Sequence, residues 1–172
     1  WAAYKPMADY PDTGLAEDLQ ILAAAITQGL DVRLGHVSLG GFDTHAGQRD
    51  VHAGLLEDLS SSLFAFRQDL AAHEASDNVL IMTWSEFGRR VLSNASQGTD
   101  HGWAAMMFLM GDMVNGGLYG EMPNLADLAR DNLPHTTDLR SVYASVLEDW
   151  LGVPGQEILE GGAFETLPII GV

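Results

Sequence analysis

Val32-Arg-Leu-Gly-His-Val-Ser-Leu39 runs directly into Gly40-Gly-Phe-Asp-Thr-His45. The pairs Val32/Leu34 and Val37/Leu39 surround Gly35 and read as a mostly buried strand that ends at Gly40-Gly41. An Asp and a His stand two residues apart just beyond it, where α/β proteins keep their chemistry. In extended chain, residues i and i+2 point the same way. Asp43 and His45 can therefore converge on one cation, which a carboxylate and a neutral imidazole both suit. The competing reading makes Asp43 a cap for the next turn and His45 a partner of the backbone.

Upstream, Leu15, Leu19, Leu22 and Ile26 recur at helical spacing and predict a helix over about 14–28, capped by Asp12 or Thr13 and stopped at Gly29. Downstream, Val51, Leu55, Leu59, Leu63, Phe66 and Leu70 mark one face of a long amphipathic helix over about 50–73. Val79 to Trp84 is an apolar run suited to a parallel strand buried on both faces, so that strand, helix and strand make a right-handed βαβ unit. A Ser/Asn/Gly-rich loop from Ser93 to Gly102 precedes a third candidate strand, Ala104 to Met110. Gly111 to Gly120 reads as turns with a small hairpin through Gly117-Leu-Tyr-Gly120. Leu139, Val142, Tyr143, Val146, Leu147 and Trp150 form a last helix over about 138–151, capped by Thr137 or Asp138 and stopped by Gly152 and Pro154. The expectation is an α/β fold: a three-layer sandwich whose largely parallel sheet contains strands at 32–39, 79–84 and 104–110.

With 172 residues, 47% of them hydrophobic, the chain suffices for one well-buried core. It reads as a single domain or a piece of one, with an irregular lead-in over 1–11 and an irregular tail over 155–172 that packs against the rest. Twenty-four acidic residues against eight basic ones give a net charge of −16. With no basic cluster beyond Arg89-Arg90, a nucleic-acid partner is not expected. The absence of cysteine excludes disulfides and thiolate chemistry. No segment reaches the roughly 18 uninterrupted apolar residues of a membrane span. There is no phosphate-binding or dinucleotide glycine loop, no His-Glu-x-x-His helix and no nucleophile elbow.

Two further segments repeat the placement of polar groups at strand borders. The run Val79 to Trp84 delivers Ser85-Glu86-Phe87-Gly88-Arg89, which puts the Glu86 carboxylate at the mouth of the sheet. The plainer reading is a surface glutamate at a helix start. Arg89 can hold an anion through two parallel hydrogen bonds or bridge to Glu86. Thr99-Asp100-His101 precedes the third strand, where the alternatives are a turn at Asp100 and packing of His101 beneath Trp103. His135 has a stronger structural explanation at a helix start, and His36, His52 and His73 read as structural.

Taken in order, Gly-Gly-Phe-Asp-Thr-His, Ser-Glu-Phe-Gly-Arg, Thr-Asp-His-Gly, Gly-Gly-Leu-Tyr-Gly and Asp-Leu-Arg-Ser-Val-Tyr-Ala-Ser-Val-Leu-Glu-Asp-Trp-Leu-Gly resemble the bacterial family called domain of unknown function 1501 (DUF1501), of the alkaline-phosphatase-like and sulfatase-like superfamily. The similarity runs from about Gly14 to Leu151. It implies a bimetal site at the C-terminal edge of a largely parallel sheet and hydrolysis of phosphate or sulfate esters. By resemblance Asp43 and His45 take the place of the first ligand pair, Glu86 stands where relatives often show an adjacent Asp-His, and His101 where they show a last histidine.

The resemblance further implies that this chain is the C-terminal part of a domain whose N-terminal half carries the nucleophile. An exported, periplasmic parent is expected, because relatives often carry twin-arginine signals. The expected ligands of a divalent metal (Zn, Mn, Mg or Ca) are Asp43, His45, Glu86, Asp100 and His101, with Arg89 as the catalytic anion-steadying group and a small anionic ester as substrate. The alternative function is a non-catalytic exported binding or assembly protein on the same scaffold.

Overall fold

A computed structural model describes residues 4–171. The chain divides into two compact units. The first extends to Val79 and also takes in Ser93–Thr99; the second comprises Leu80–Leu92 and the chain from Asp100 onward.

The first unit is a helix pair, α1 (Gly14–Thr27) on α2 (Gln48–Ala72). Thr13 caps α1, its side-chain oxygen accepting from the Ala16 amide at 3.3 Å. At the other end Gly29 takes φ 69°, and the Leu30 amide reaches back to the Ala25 carbonyl at 3.1 Å, a Schellman closure. The helix α2 closes likewise through Glu74, at φ 56°, with the Ala75 amide on the Leu70 carbonyl at 2.9 Å. Buried Leu15, Ala16, Leu19, Ala23 and Ala24 of α1 and Leu63, Ala65, Phe66 and Leu70 of α2 form the apolar seam. The alanines let the two backbones approach.

Polar groups lock this seam at two levels of α2. One carboxylate oxygen of Asp58 accepts from the hydroxyls of Thr13 at 2.6 Å and Ser62 at 2.9 Å. Asp69 is 0% exposed and accepts from the Tyr4 hydroxyl, from the Met7 amide at 2.7 Å and from the Tyr10 hydroxyl at 2.9 Å. His73, one turn on, stands 3.5 Å from the same carboxylate. The expected lead-in is therefore a strap tied to α2, of which residues 1–3 lie outside the described part. Burial and the Asp69 charge push both phenols well above the ordinary tyrosine range.

The second unit contains β1 (Ile81–Met82), β2 (Gly88–Ser93, whose last residue belongs to the first unit), β3 (Thr99–Gly102, whose first residue does likewise), β4 (Leu109–Met110), α3 (Leu139–Ser145) and α4 (Gly155–Ile158). Asp138 caps α3, accepting from the Arg140 amide at 2.9 Å, and the Arg140 guanidinium holds its carboxyl down at about 2. After Ser145 the helix widens into one π turn, Val146–Trp150, closed by the Leu151 amide on the Val146 carbonyl at 3.0 Å. Val142, Ile169 and Ile170 form the buried centre, with Leu80, Met82, Met107, Leu109, Val146, Trp150 and Leu167 packed round it. The tail is tied down by the Leu167 amide on Ser145 Oγ at 2.8 Å and by backbone bonds from Asn115 to Ile169 at 3.0 Å and from Gly171 to Met113 at 2.7 Å.

The three-layer sandwich with a largely parallel sheet is not what forms. Among the described residues there are two short two-stranded antiparallel sheets, β1 with β4 and β2 with β3. Of the run 79–84 only Ile81–Met82 is strand, and of 104–110 only Leu109–Met110, paired Ile81 with Met110 and Met82 with Leu109. The ladder stops at Thr83. Its amide still donates to the Phe108 carbonyl at 2.9 Å, but the returning Phe108 amide goes to the Thr83 hydroxyl at 3.0 Å. Residues 32–39 belong to no strand, and the outward positions of Val32 and Leu34 leave both exposed. That segment meets α1 through Gly35, where a Cβ would sit 2.9 Å from a Leu22 methyl. No strand forms at Gly117–Gly120, and no βαβ unit is present among the described residues.

Two measurements check this account. Asp69→Ala strands three donors at once and is expected to lower unfolding free energy by about 3 kcal/mol in urea titration, unsatisfied buried donors costing roughly 1–3 kcal/mol each. In an alkaline titration followed at 295 nm, Tyr4 and Tyr10 are expected to ionise only above the ordinary tyrosine range. Their pKa values are raised by folding, so their contribution to stability is complete below the ordinary value near pH 10 and is lost as pH rises through the folded values. Ionisation of Tyr4 and Tyr10 near pH 10 would contradict their half-buried placement against Asp69.

Candidate functional site

The loop carrying Asp43 and His45 is shaped by burial of the residue between them. Thr44 is buried and turns back on the chain, its amide donating to the Phe42 carbonyl at 2.9 Å. With Thr44 inward, its neighbours point out to solvent, as alternation requires. Asp43 Oδ1 lies 2.9 Å from His45 Nε2, with side-chain exposures of 65% and 47%. Gly41, at φ 97°, makes the preceding bend, and Leu55 of α2 packs against it. Phe42 meets His52 of α2 edge to face at 5.8 Å.

The turn Asn94–Gly98 fixes this loop from the other side. Asn94 Oδ1 accepts from the Ser96 and Gly98 amides, each at 3.0 Å, and its Nδ2 donates to the His45 carbonyl at 2.9 Å. The Gly47 amide donates to the Ser96 carbonyl at 3.0 Å and the Gln48 amide to that of Gln97 at 2.9 Å. Thr99 adds a hydroxyl bond to Gln48 at 3.1 Å. This contact is close enough to demand glycine, since a Cβ on Gly98 would lie 2.1 Å from the His45 carbonyl carbon.

In the second unit, Ser85-Glu86-Phe87 forms the bend before β2. The Ser85 hydroxyl donates to the Phe87 carbonyl at 2.9 Å, and Glu86 is exposed in the bend. Phe87 stacks face to face on His101 of β3, with ring centroids 3.9 Å apart and planes 6° from parallel. Arg89, two residues along the same strand face, carries its guanidinium over Phe87 at 5.0 Å. Asp100 and His101 are both exposed on β3.

Of the five expected ligands, Asp43 and His45 are brought together within one unit, while Glu86, Asp100 and His101 lie in the other. Arg89 contacts an aromatic ring. His73 serves the Asp69 lock, as a structural histidine should. Asn94, Gly98 and Phe87 were not singled out from sequence. The Asn94-x-x-x-Gly98 turn signal was visible there, but its docking partner at His45 was not.

The Asp43–His45 pair fits a divalent cation. A tetrahedral ion with bonds near 2.0 Å holds adjacent ligand atoms about 3.3 Å apart, close to the observed separation. Carboxylate with imidazole suits zinc or manganese better than an all-oxygen site would. Gly98→Ala is expected to displace the turn from the loop: His45 ring resonances shift in NMR spectra, and thermal stability falls by several degrees. Unchanged His45 shifts would contradict the docking.

The family model described as Protein of unknown function (DUF1501) matches residues 6–149. No curated protein and no solved structure matches the chain.

Proposed function

The chain belongs to the DUF1501 family, and from that premise and the Asp43–His45 geometry we propose that it carries part of the cation site of a metal-dependent hydrolase of phosphate or sulfate esters. The observation that carries the reading is the exposed carboxylate–imidazole pair at 2.9 Å, on a loop held from one side by α2 and from the other by the Asn94–Gly98 turn. Asp43 and His45 are the first two ligands. The sequence motifs nominate Glu86, Asp100 and His101 as the others, and that part of the reading rests on the sequence alone. An exported location is proposed on the family resemblance only.

A bound cation would supply Lewis-acid stabilisation of the ester oxygens and a lowered pKa for the attacking group. The chain's own residues do the rest. Asp43 contributes negative charge that attracts the cation, and His45 offers a ring nitrogen from a backbone position pinned at its carbonyl by Asn94. Arg89 contributes a planar cation that can pair with two oxygens of an anionic ester.

The test is elemental analysis of the protein after loosely bound ions are removed, followed by zinc titration of Asp43→Ala and His45→Ala. The expected result is a retained divalent metal in the parent protein and a loss of affinity in both variants of at least roughly 100-fold, the upper range for removing even an outer partner of a ligand. Ester hydrolysis, where found, disappears with the metal. A folded, metal-supplemented protein that retains none would sink the proposal.

One observation favours a second reading, a binding or assembly role. Leu118, Met122 and Met106 in the second unit are 93%, 81% and 78% exposed. Large exposed apolar side chains are what a protein-binding surface offers.

A further inference from the structure

We infer that Phe87 is a positioning residue that fixes the His101 imidazole by face-to-face stacking, so that the ring presents its nitrogen-bearing edge in one orientation. The inference deepens the proposed function and rests on its nomination of His101 as a ligand, although the stack itself stands on geometry alone.

Three features build this stack. Each ring is followed by a glycine at which another segment's backbone comes too close for any side chain. A Cβ on Gly88, after Phe87, would fall 1.8 Å from the Ala104 carbonyl oxygen, and one on Gly102, after His101, would fall 2.5 Å from the Arg89 carbonyl carbon. The backbone is thereby packed closely at the residue after each ring, beside a pair whose centroids lie 3.9 Å apart at 6°. The Ser85 hydroxyl, on the Phe87 carbonyl at 2.9 Å, fixes the backbone from which the phenyl ring projects. The Arg89 guanidinium, 5.0 Å from the phenyl centroid, adds a cation–π contact that holds that ring in plane.

An exposed histidine on a strand ordinarily samples several rotamers, and ordering it on binding costs free energy. Here one face of the His101 ring is covered by Phe87, which removes rotations about the side-chain bonds that would lift the imidazole off the stack. Because the stack lies on a ring face, it fixes the plane in which Nδ1 and Nε2 lie. Orientation of a ligand by neighbours that never touch the ion is how outer residues tune metal sites, at roughly 10–100-fold in affinity.

The experiment labels the protein with 13C,15N-histidine and compares it with Phe87→Leu and Phe87→Tyr. In the parent protein the His101 Cδ2 and Cε1 protons are expected upfield, under the phenyl ring current. Phe87→Leu abolishes that shift, and Phe87→Tyr, which keeps an aromatic face, restores it. Zinc titration on the same samples is expected to show affinity about 10-fold weaker in Phe87→Leu and within about twofold of the parent in Phe87→Tyr.

Identical His101 shifts in the parent and Phe87→Leu overturn the inference. So does an unchanged zinc affinity once the ring-current shift has gone. If the parent binds no zinc, the hydrolase reading fails, and the ring-current comparison alone decides the role of Phe87. Circular dichroism confirms that each variant is folded. Should Phe87→Leu not fold, Phe87→Tyr against Arg89→Gln takes its place, the loss of the guanidinium being expected to weaken the same upfield shift.

Discussion

At Gly88, Gly98 and Gly102 the backbone comes closer to itself than any side-chain-bearing residue allows, with hypothetical Cβ atoms at 1.8, 2.1 and 2.5 Å from backbone atoms of another segment. None of the three takes the left-handed conformation that usually explains a glycine. Space is the constraint. Each contact adjoins a chemistry-bearing residue: Gly98 seats the turn on His45, and Gly88 and Gly102 are the close approaches directly after Phe87 and His101. The site residues are exposed, yet the backbone beneath them is dense.

Carboxylates hold what a sheet would otherwise organise. The helix pair of the first unit gains a polar seam at Asp58 and a sealed one at Asp69, where an aspartate with no exposure takes three donors from the strap. A buried charge of this kind is tolerable only when its oxygens are satisfied. The arrangement makes Tyr4, Met7 and Tyr10 depend on α2 for their order. Side chain and backbone divide the work: the apolar seam gives most of the burial, and the carboxylates fix the register of chain that has no regular structure of its own.

The helices were legible because their signals are local. Thr13, Gly29 and Asp138 act where the 3.6-residue period begins or ends; α1 and α2 lie within a few residues of their expected bounds, and α3 stops at Ser145 with a π turn carrying the chain on to Trp150. The strands failed for the opposite reason. Apolar runs at 32–39, 79–84 and 104–110 say that a segment is extended, but not which backbone completes its hydrogen bonds, and Thr83 ends its ladder with a hydroxyl that no hydropathy pattern weighs. The polar hairpin β2–β3 was invisible as strand because its Gly, Arg, Asn and Asp residues read as loop. For the site, Asp43-Thr-His45 could be read from alternation, since burying Thr44 turns both neighbours outward. The stack of Phe87 on His101 could not, because it joins residues fourteen apart through a turn whose docking is set by Asn94 and Gly98.

Net charge bears directly on the proposed chemistry. A chain at −16 repels an anionic ester at long range and attracts divalent cations. On the hydrolase reading, the exposed Asp43–His45 pair is then filled by a cation before any anion approaches, and the negative potential that favours the first event opposes the second until the cation has reduced it. Arg89 matters in the same sense. It is one of only eight basic residues, and its guanidinium lies 5.0 Å from the Phe87 ring centroid, where the ring quadrupole attracts it. On so acidic a protein, an aromatic contact orders a guanidinium without adding to the negative charge around it, which is what the hydrolase reading asks of Arg89.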